Sequence, residues 1–143
     1  MSKLRNIKTK TLYIYCDGGS RGNPGSGAIG IIFLDENKKR IYSYKEIIGE
    51  TTNNQAEYKA LIKALELATA YCRYNIKCFL DSELVVKQVT GIYRIKNDTL
   101  RNLFYEVKER EKAFQDVTYN HVKRDNQYIQ QADKLVNDAL NGR

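Results

Sequence analysis

An alternating apolar run that stops at an acid and breaks into glycines, from Leu12 to Gly25, constrains this chain more than any other stretch. Leu12, Ile14 and Cys16 alternate with Tyr13, Tyr15 and Asp17, the period-two pattern of a half-buried strand, and this places Asp17 at the strand's C-terminal end. Six of the nine glycines then fall between Gly18 and Gly30, where the backbone is free to take positive φ angles and to approach a ligand with no Cβ in the way. A hairpin turn alone would explain that much. A carboxylate at the mouth of a sheet becomes informative when further carboxylates occupy equivalent places, and the chain supplies them.

Ala28 to Leu34 is a continuous apolar run and Arg40 to Ile48 a second strand-like run, joined by the polar turn Asp35 to Lys39. With the first strand they predict an antiparallel meander. Thr52-Asn53-Asn54-Gln55 matches a capping box and opens the longest helical pattern, predicted to run to Tyr71 or Tyr74. Ile76 to Leu80 reads as a short strand ending in Asp81, with Ser82 capping a short helix through Val89 that stops before Gly91. Asp98 to Phe114 keeps helical spacing, Val117 to Val122 alternates as a last strand, and Gln127 to Leu140 is a last helix. The order βββ, α, β, α, α, β, α predicts an α/β layer fold, a mixed sheet with helices packed on it.

A length of 143 residues suits one domain, here residues 11–143, preceded by a basic tail over residues 1–10. That tail holds Lys3, Arg5, Lys8 and Lys10 and no acid. A solubilising tail is the common outcome for such a segment, and an arm resting on phosphates the alternative. The formal net charge of +7 favours an anionic partner such as nucleic acid. Cys16, Cys72 and Cys78 fit no zinc spacing and read as reduced core residues. No apolar run approaches a membrane span and no secretory signal opens the chain, so the expectation is a cytoplasmic monomer with no membrane partner.

Three more acids break the apolar pattern as Asp17 does. Positions 57, 61, 64 and 68 share a helix face, and the last three are Leu61, Ala64 and Ala68, so Glu57 is predicted to point at the sheet. Asp81 ends a second strand. Asp133 follows Ile129 by one turn within the stripe of Ile129, Ala132, Val136 and Leu140, and is predicted to face inward. Four unpaired acids aimed at one sheet repel each other and lose hydration unless cations bind between them. An all-carboxylate ligand set without Cys or His suits a hard cation, Mg²⁺ or Mn²⁺. The glycine stretch lacks the ending of a nucleotide-binding P-loop, and no acidic stretch has the ligand alternation of an EF-hand.

Asp17-Gly18-Gly19-Ser20-Arg21-Gly22-Asn23-Pro24-Gly25, Thr52-Asn53-Asn54-Gln55-Ala56-Glu57, Asp81-Ser82 and Ala132-Asp133 resemble, in order and spacing, the four motifs of type 1 ribonuclease H. The resemblance spans Thr11 to Leu140 and is nearest the compact, His-less archaeal-like branch. It implies the ribonuclease H-like fold, a five-stranded mixed sheet flanked by helices, and two-metal hydrolysis of the RNA strand of RNA/DNA hybrids, leaving 5′-phosphate and 3′-hydroxyl ends. Carried over by position, Asp17 would bridge two divalent cations, Mg²⁺ or Mn²⁺, Glu57 and Asp81 would complete one site, and Asp133 would hold the other. The ions, roughly 3.5–4 Å apart, would activate water and stabilise the leaving 3′ oxygen. Asn23, Asn53, Asn54 and Gln55 align with residues that grip the hybrid from its minor groove, Thr52 with a position near the DNA phosphate, and the backbone of Gly18, Gly19 and Ser20 is available to the 2′-hydroxyl.

The chain departs from the family pattern in three places. Where many bacterial members carry a loop His, it reads Lys123-Arg124-Asp125-Asn126-Gln127, and its single histidine, His121, belongs to the preceding strand as a packing or surface residue. An Asn often found four residues before the last acid is Ile129. The basic handle is shortened to Gly91–Lys96. The alternatives to a hybrid-specific nuclease are a silent nucleic-acid-binding module of the same fold, which would usually lack a ligand, and a related metal-dependent DNA nuclease, against which Asn23 and Thr52 to Gln55 argue.

Overall fold

The structure, a computed structural model, describes residues 8–143; Lys3 and Arg5 lie outside the described residues. The elements follow the predicted order: β1 (Thr11–Gly22), β2 (Gly25–Leu34), β3 (Arg40–Thr51), α1 (Asn53–Ala68), β4 (Asn75–Leu80), α2 (Glu83–Val89), α3 (Asp98–Glu111), β5 (Asp116–His121) and α4 (Gln127–Leu140). The first three strands form the antiparallel meander. On the other side of β1, β4 and β5 pair in parallel, giving a five-stranded mixed sheet in the order β3-β2-β1-β4-β5.

Two helical layers cover the sheet because the strand residues of both parities are apolar. Leu12, Ile14 and Cys16 join Ile76, Cys78 and Leu80 under α1 and α3, against Leu61, Leu65, Leu103 and Val107. Tyr15, Ile32 and Leu34 face the opposite way and pack on Ile129 and Ala132 of α4. Each fully buried Ile or Leu contributes about 1.5–3 kcal/mol to this core.

The half-buried first strand expected from its alternation is instead buried on both faces, Tyr15 and Asp17 included, because β1 lies at the centre of the sheet. Nor does it end at Asp17. The glycine stretch continues the strand to Gly22, in register with β2, and between Gly18 and Gly30 only Gly22 has a positive φ, +98°. Close approach, rather than positive φ, demands glycine at several of these positions, and at two of them the neighbour is a helix backbone. A Cβ on Gly18 would lie 2.1 Å from the Ala56 carbonyl oxygen of α1, and one on Gly30 would lie 2.2 Å from the Ala132 carbonyl oxygen of α4.

Two helices stop earlier than their patterns suggest. The capping box forms as predicted, with the Thr52 hydroxyl accepting from the Gln55 N–H and the Gln55 side chain accepting from the Thr52 N–H, but α1 ends at Ala68. The Ala70 and Tyr71 N–H groups bond to the carbonyls of Leu67 and Ala68, a tightened turn that swings Tyr71 and Cys72 into the core. In the same way α3 ends at Glu111, and Phe114 reaches the core from the turn beyond it.

The sheet also defines where a ligand can sit. The parallel ladder between β1 and β4 runs from Thr11 opposite Asn75 to Tyr15 opposite Phe79 and then stops. Asp17, midway along β1, and Asp81, just after β4, follow directly where this parallel ladder ends, beside the carboxyl end of β4, the kind of place where open α/β sheets present binding residues. All three cysteines are buried and free, and no helix among the described residues is long and apolar enough to cross a membrane.

Candidate active site

Three carboxylates meet where the β1–β4 ladder stops. Asp17 comes from β1, Glu57 from the second turn of α1, and Asp81 from the residue after β4. One oxygen of each lies within 4.8 Å of the others. Asp17 is 7% exposed and Glu57 8%. Glu57 is held in place from the backbone, since the Gly18 N–H donates to its Oε1 at 3.1 Å. The interval of four and seven residues from Glu57 to Leu61 and Ala64, both fully buried, explains why an acid of this helix points at the sheet.

Asp133 departs from its expected inward orientation. It is exposed, on the flank of α4, because the helix buries Ile129, Ala132, Val136 and Ala139, and Asp133 is turned about 100° from Ala132. It nevertheless lines the same cleft of about 440 Å³ as Asp17 and Glu57. The first three acids thus form an inner group, and the fourth stands at its rim.

Burial is the main force raising the Asp17 carboxyl to about 8, followed by the charges of Asp81 and Asp133, with the Arg124 guanidinium opposing them. Burial likewise pushes Glu57 well above the usual carboxylate range, next the charges of Asp17 and Asp81, while its bond from the Gly18 backbone pulls down. Asp17 and Glu57, held away from ionisation by burial and by their acidic neighbours, are a stable arrangement only with protons or cations beside them. An oxygen-only donor set at this spacing fits a hard divalent cation.

Arg124 was not singled out by sequence reasoning as a site residue, although it lies in the loop that replaces the family's histidine loop. Its Nε stands 3.4 Å from Asp81 Oδ2, with the arginine side chain 89% exposed and that of Asp81 8%. A lone arginine in a polar loop carries no distinguishing sequence signal. His121 is exposed and paired with Leu80 at the end of β5, so it is a surface residue and not a packing one. His121→Ala is therefore expected to keep most activity and to change stability by no more than about 0.5 kcal/mol. A large fall in rate with unchanged melting would make it a proton-transfer residue instead.

The remaining sequence-predicted residues cluster around the start of α1, and several spend polar atoms on each other. Ser20 donates from its N–H and hydroxyl to Asn53 Oδ1 at 3.0 and 3.3 Å. The Asn53 N–H donates to Asn23 Oδ1 at 2.9 Å. Gln55 Oε1 accepts from the Thr52 N–H and from the Thr51 hydroxyl, and the Thr52 hydroxyl caps the helix. These bonds lock the β1–β2 hairpin to the N-terminus of α1. Gly18, Gly19, Ser20 and Asn53 line the cleft, and Asn54 is exposed in the first turn of the helix.

Comparisons with known proteins agree with this geometry. Residues 15–139 match the model of the family described as reverse transcriptase-like. Ribonuclease HI of Halobacterium salinarum is 39% identical over 90% of the chain. The chain spans 64% of that relative's length, and 35% of a bifunctional protein of Mycobacterium tuberculosis to which it is 36% identical over 89% of its own residues. The crystal structure of RNase H1 from Halobacterium salinarum superimposes with a TM-score of 0.88 at 38% identity, covering 93% of this chain and 99% of that one. LC11-RNase H1, solved in complex with an RNA/DNA hybrid, gives a TM-score of 0.84 at 36% identity, with 92% and 97% covered. With a family model matching residues 15–139 and ribonuclease H sequences and structures matching over nine-tenths of its length, the chain belongs to the ribonuclease H family.

Proposed function

We propose that the protein is an endoribonuclease that hydrolyses the RNA strand of RNA/DNA hybrids, leaving 5′-phosphate and 3′-hydroxyl ends, with two divalent cations, Mg²⁺ or Mn²⁺, as cofactors. The observation that carries this reading is the convergence of Asp17, Glu57 and Asp81 within 4.8 Å in a cleft shared with Asp133. Asp17 would bridge the ions, with Glu57 and Asp81 on one and Asp133 on the other. When bound, such ions supply an activated water and charge neutralisation at the leaving oxygen.

The chain's own part is positioning. Burial of Asp17 and Glu57 keeps bulk water from competing for the inner group. The Gly18 N–H fixes one oxygen of Glu57, leaving the other directed by the same bond, and Arg124 restrains Asp81. Arg21 and Arg124 at the cleft place positive charge where phosphates would pass. Three buried thiols suit a reducing compartment, and we read the protein as a cytoplasmic monomer. The reading is tested by incubation with hybrid, double-stranded RNA and double-stranded DNA in Mg²⁺, in Mn²⁺ and in EDTA. Cleavage confined to the RNA of the hybrid and abolished by EDTA is expected; DNA cleavage, or cleavage surviving EDTA, would refute it.

Discrimination of RNA from DNA needs groups that can both donate to and accept from a 2′-hydroxyl. The Asn53 and Gln55 carbonyl oxygens are already occupied by Ser20 and by Thr51 and Thr52. The exposed Asn54 is thus the best placed amide, and Thr52 already caps the helix without it. Asn54→Ala should raise KM for hybrid and lower selectivity, each lost bond costing on the order of 1 kcal/mol, with melting little changed. Lost stability with KM and selectivity intact would assign Asn54 to the helix alone.

A further inference from the structure

Asp133 is the one exposed acid of the four, and the position one turn before it offers no polar support, since Ile129 is fully buried in the core beneath α4. Support comes from the turn after it. Asn137 Nδ2 donates to Asp133 Oδ2 at 3.3 Å and to the Asp133 carbonyl at 3.1 Å. The Arg21 guanidinium in turn donates to Asn137 Oδ1 at 3.5 Å. A guanidinium can only donate and a carboxylate can only accept, so one orientation of the amide serves both neighbours.

Arg21 belongs to the end of β1, opposite Ser26, in the hairpin that Ser20, Asn23 and Asn53 fasten to α1. The three side chains Arg21, Asn137 and Asp133 line the cleft together. The chain of bonds therefore connects the exposed carboxylate to the β1–β2 hairpin, which is fastened to the start of α1.

We propose that Asn137 is a positioning residue for Asp133 and that Arg21 orients Asn137, so that cation binding at the cleft rim depends on the placement of the hairpin. The inference rests on the ribonuclease reading of the site. An exposed carboxylate on a helix samples several rotamers, and fixing one of them before the ion arrives removes an entropic cost from binding. Outer partners of this kind are worth roughly 10–100-fold in metal affinity.

The test uses the full chain and Mn²⁺ as a calorimetric probe, beside hybrid cleavage across a Mg²⁺ series. Asn137→Ala, and Asn137→Leu, which keeps much of the volume but loses the donor, should each weaken a Mn²⁺ binding event and raise the half-saturating Mg²⁺ by about tenfold. The rate at saturating Mg²⁺ and the melting temperature should hold. Arg21→Ala should raise the half-saturating Mg²⁺ in the wild-type background and raise it no further in Asn137→Ala, since on the ion it acts through that amide, while its charge toward phosphates is read separately in KM for hybrid. Identical Mn²⁺ binding and Mg²⁺ dependence in wild type and Asn137→Ala would overturn the proposal, and additive effects would remove Arg21 from it. Such a result with hybrid cleavage by the wild type leaves the ribonuclease reading standing, whereas a wild type that cleaves no hybrid overturns both.

Discussion

Asp17→Asn is expected to reduce hybrid cleavage by about a thousandfold or more while the protein folds as well as the wild type or better. The loss follows from the position of Asp17 between Asp81, Glu57 and Asp133: a neutral amide there removes several kcal/mol of charge complementarity to bound cations, and each 1.36 kcal/mol is tenfold in rate. The gain in folding follows from the same burial. The Asp17 carboxyl lies near 8 in the folded protein, against 3.8 for an ordinary aspartate. Over the interval between those values the folded state binds a proton that the unfolded state has released. This contribution to stability is present below about pH 4 and is lost progressively as pH rises toward 8. Metal-free wild type should therefore melt lower at pH 8 than at pH 5, and the decline should shrink in Asp17→Asn. Mg²⁺ at pH 8 should raise the melting temperature of the wild type and hardly that of the variant, because only a folded-state site gives such a shift. Near wild-type cleavage by Asp17→Asn would rule out its bridging role, and equal Mg²⁺ shifts in both proteins would reduce the metal effect to nonspecific ion binding.

What could be read from the sequence is what repeats along it or what breaks a repeat. Glu57 is legible because Leu61, Ala64 and Ala68 mark the face it shares, and the start of α1 is legible because Thr52 and Gln55 are the two halves of one cap. The same periodicity misjudged Asp133. Proximity to the apolar stripe of α4 does not distinguish a residue within it from one at its edge, and only the packing of α4 over β1 and β2 settles which side faces water. The course of β1 was misread for a related reason. Glycines after an acid look like a turn locally, and the cause of Gly18 and Gly30, the backbone of α1 and α4 resting on the strands, is a contact between elements far apart in sequence. Arg124, Arg21 and Asn137 were illegible as site residues because each is an exposed polar residue, and no sequence pattern distinguishes one that meets an acid from one that meets solvent.

The close approach of α1 gives Gly18→Ala a large expected effect on stability. The added methyl would lie 2.1 Å from the Ala56 carbonyl oxygen and 2.8 Å from the Glu57 nitrogen, and both are backbone atoms that no rotamer change can move. Either β1 or the first turns of α1 must shift. Overpacking of this kind costs typically about 1–3 kcal/mol, and at the upper end the melting temperature of a domain this size falls by roughly 6–12 °C. The displacement acts on the bond from the Gly18 N–H to Glu57, so the spacing of the inner carboxylates changes with it, and cleavage should fall by more than the loss of folded protein explains. Gly19 supplies the control. Its Cβ would meet only Val136 and Asn53, at 3.8 and 4.0 Å, which is ordinary van der Waals contact. Gly19→Ala should therefore melt close to wild type. Equal melting of the two variants would show that α1 does not rest on β1 at Gly18, and the carboxylate spacing would then need a different origin from the one inferred from this contact.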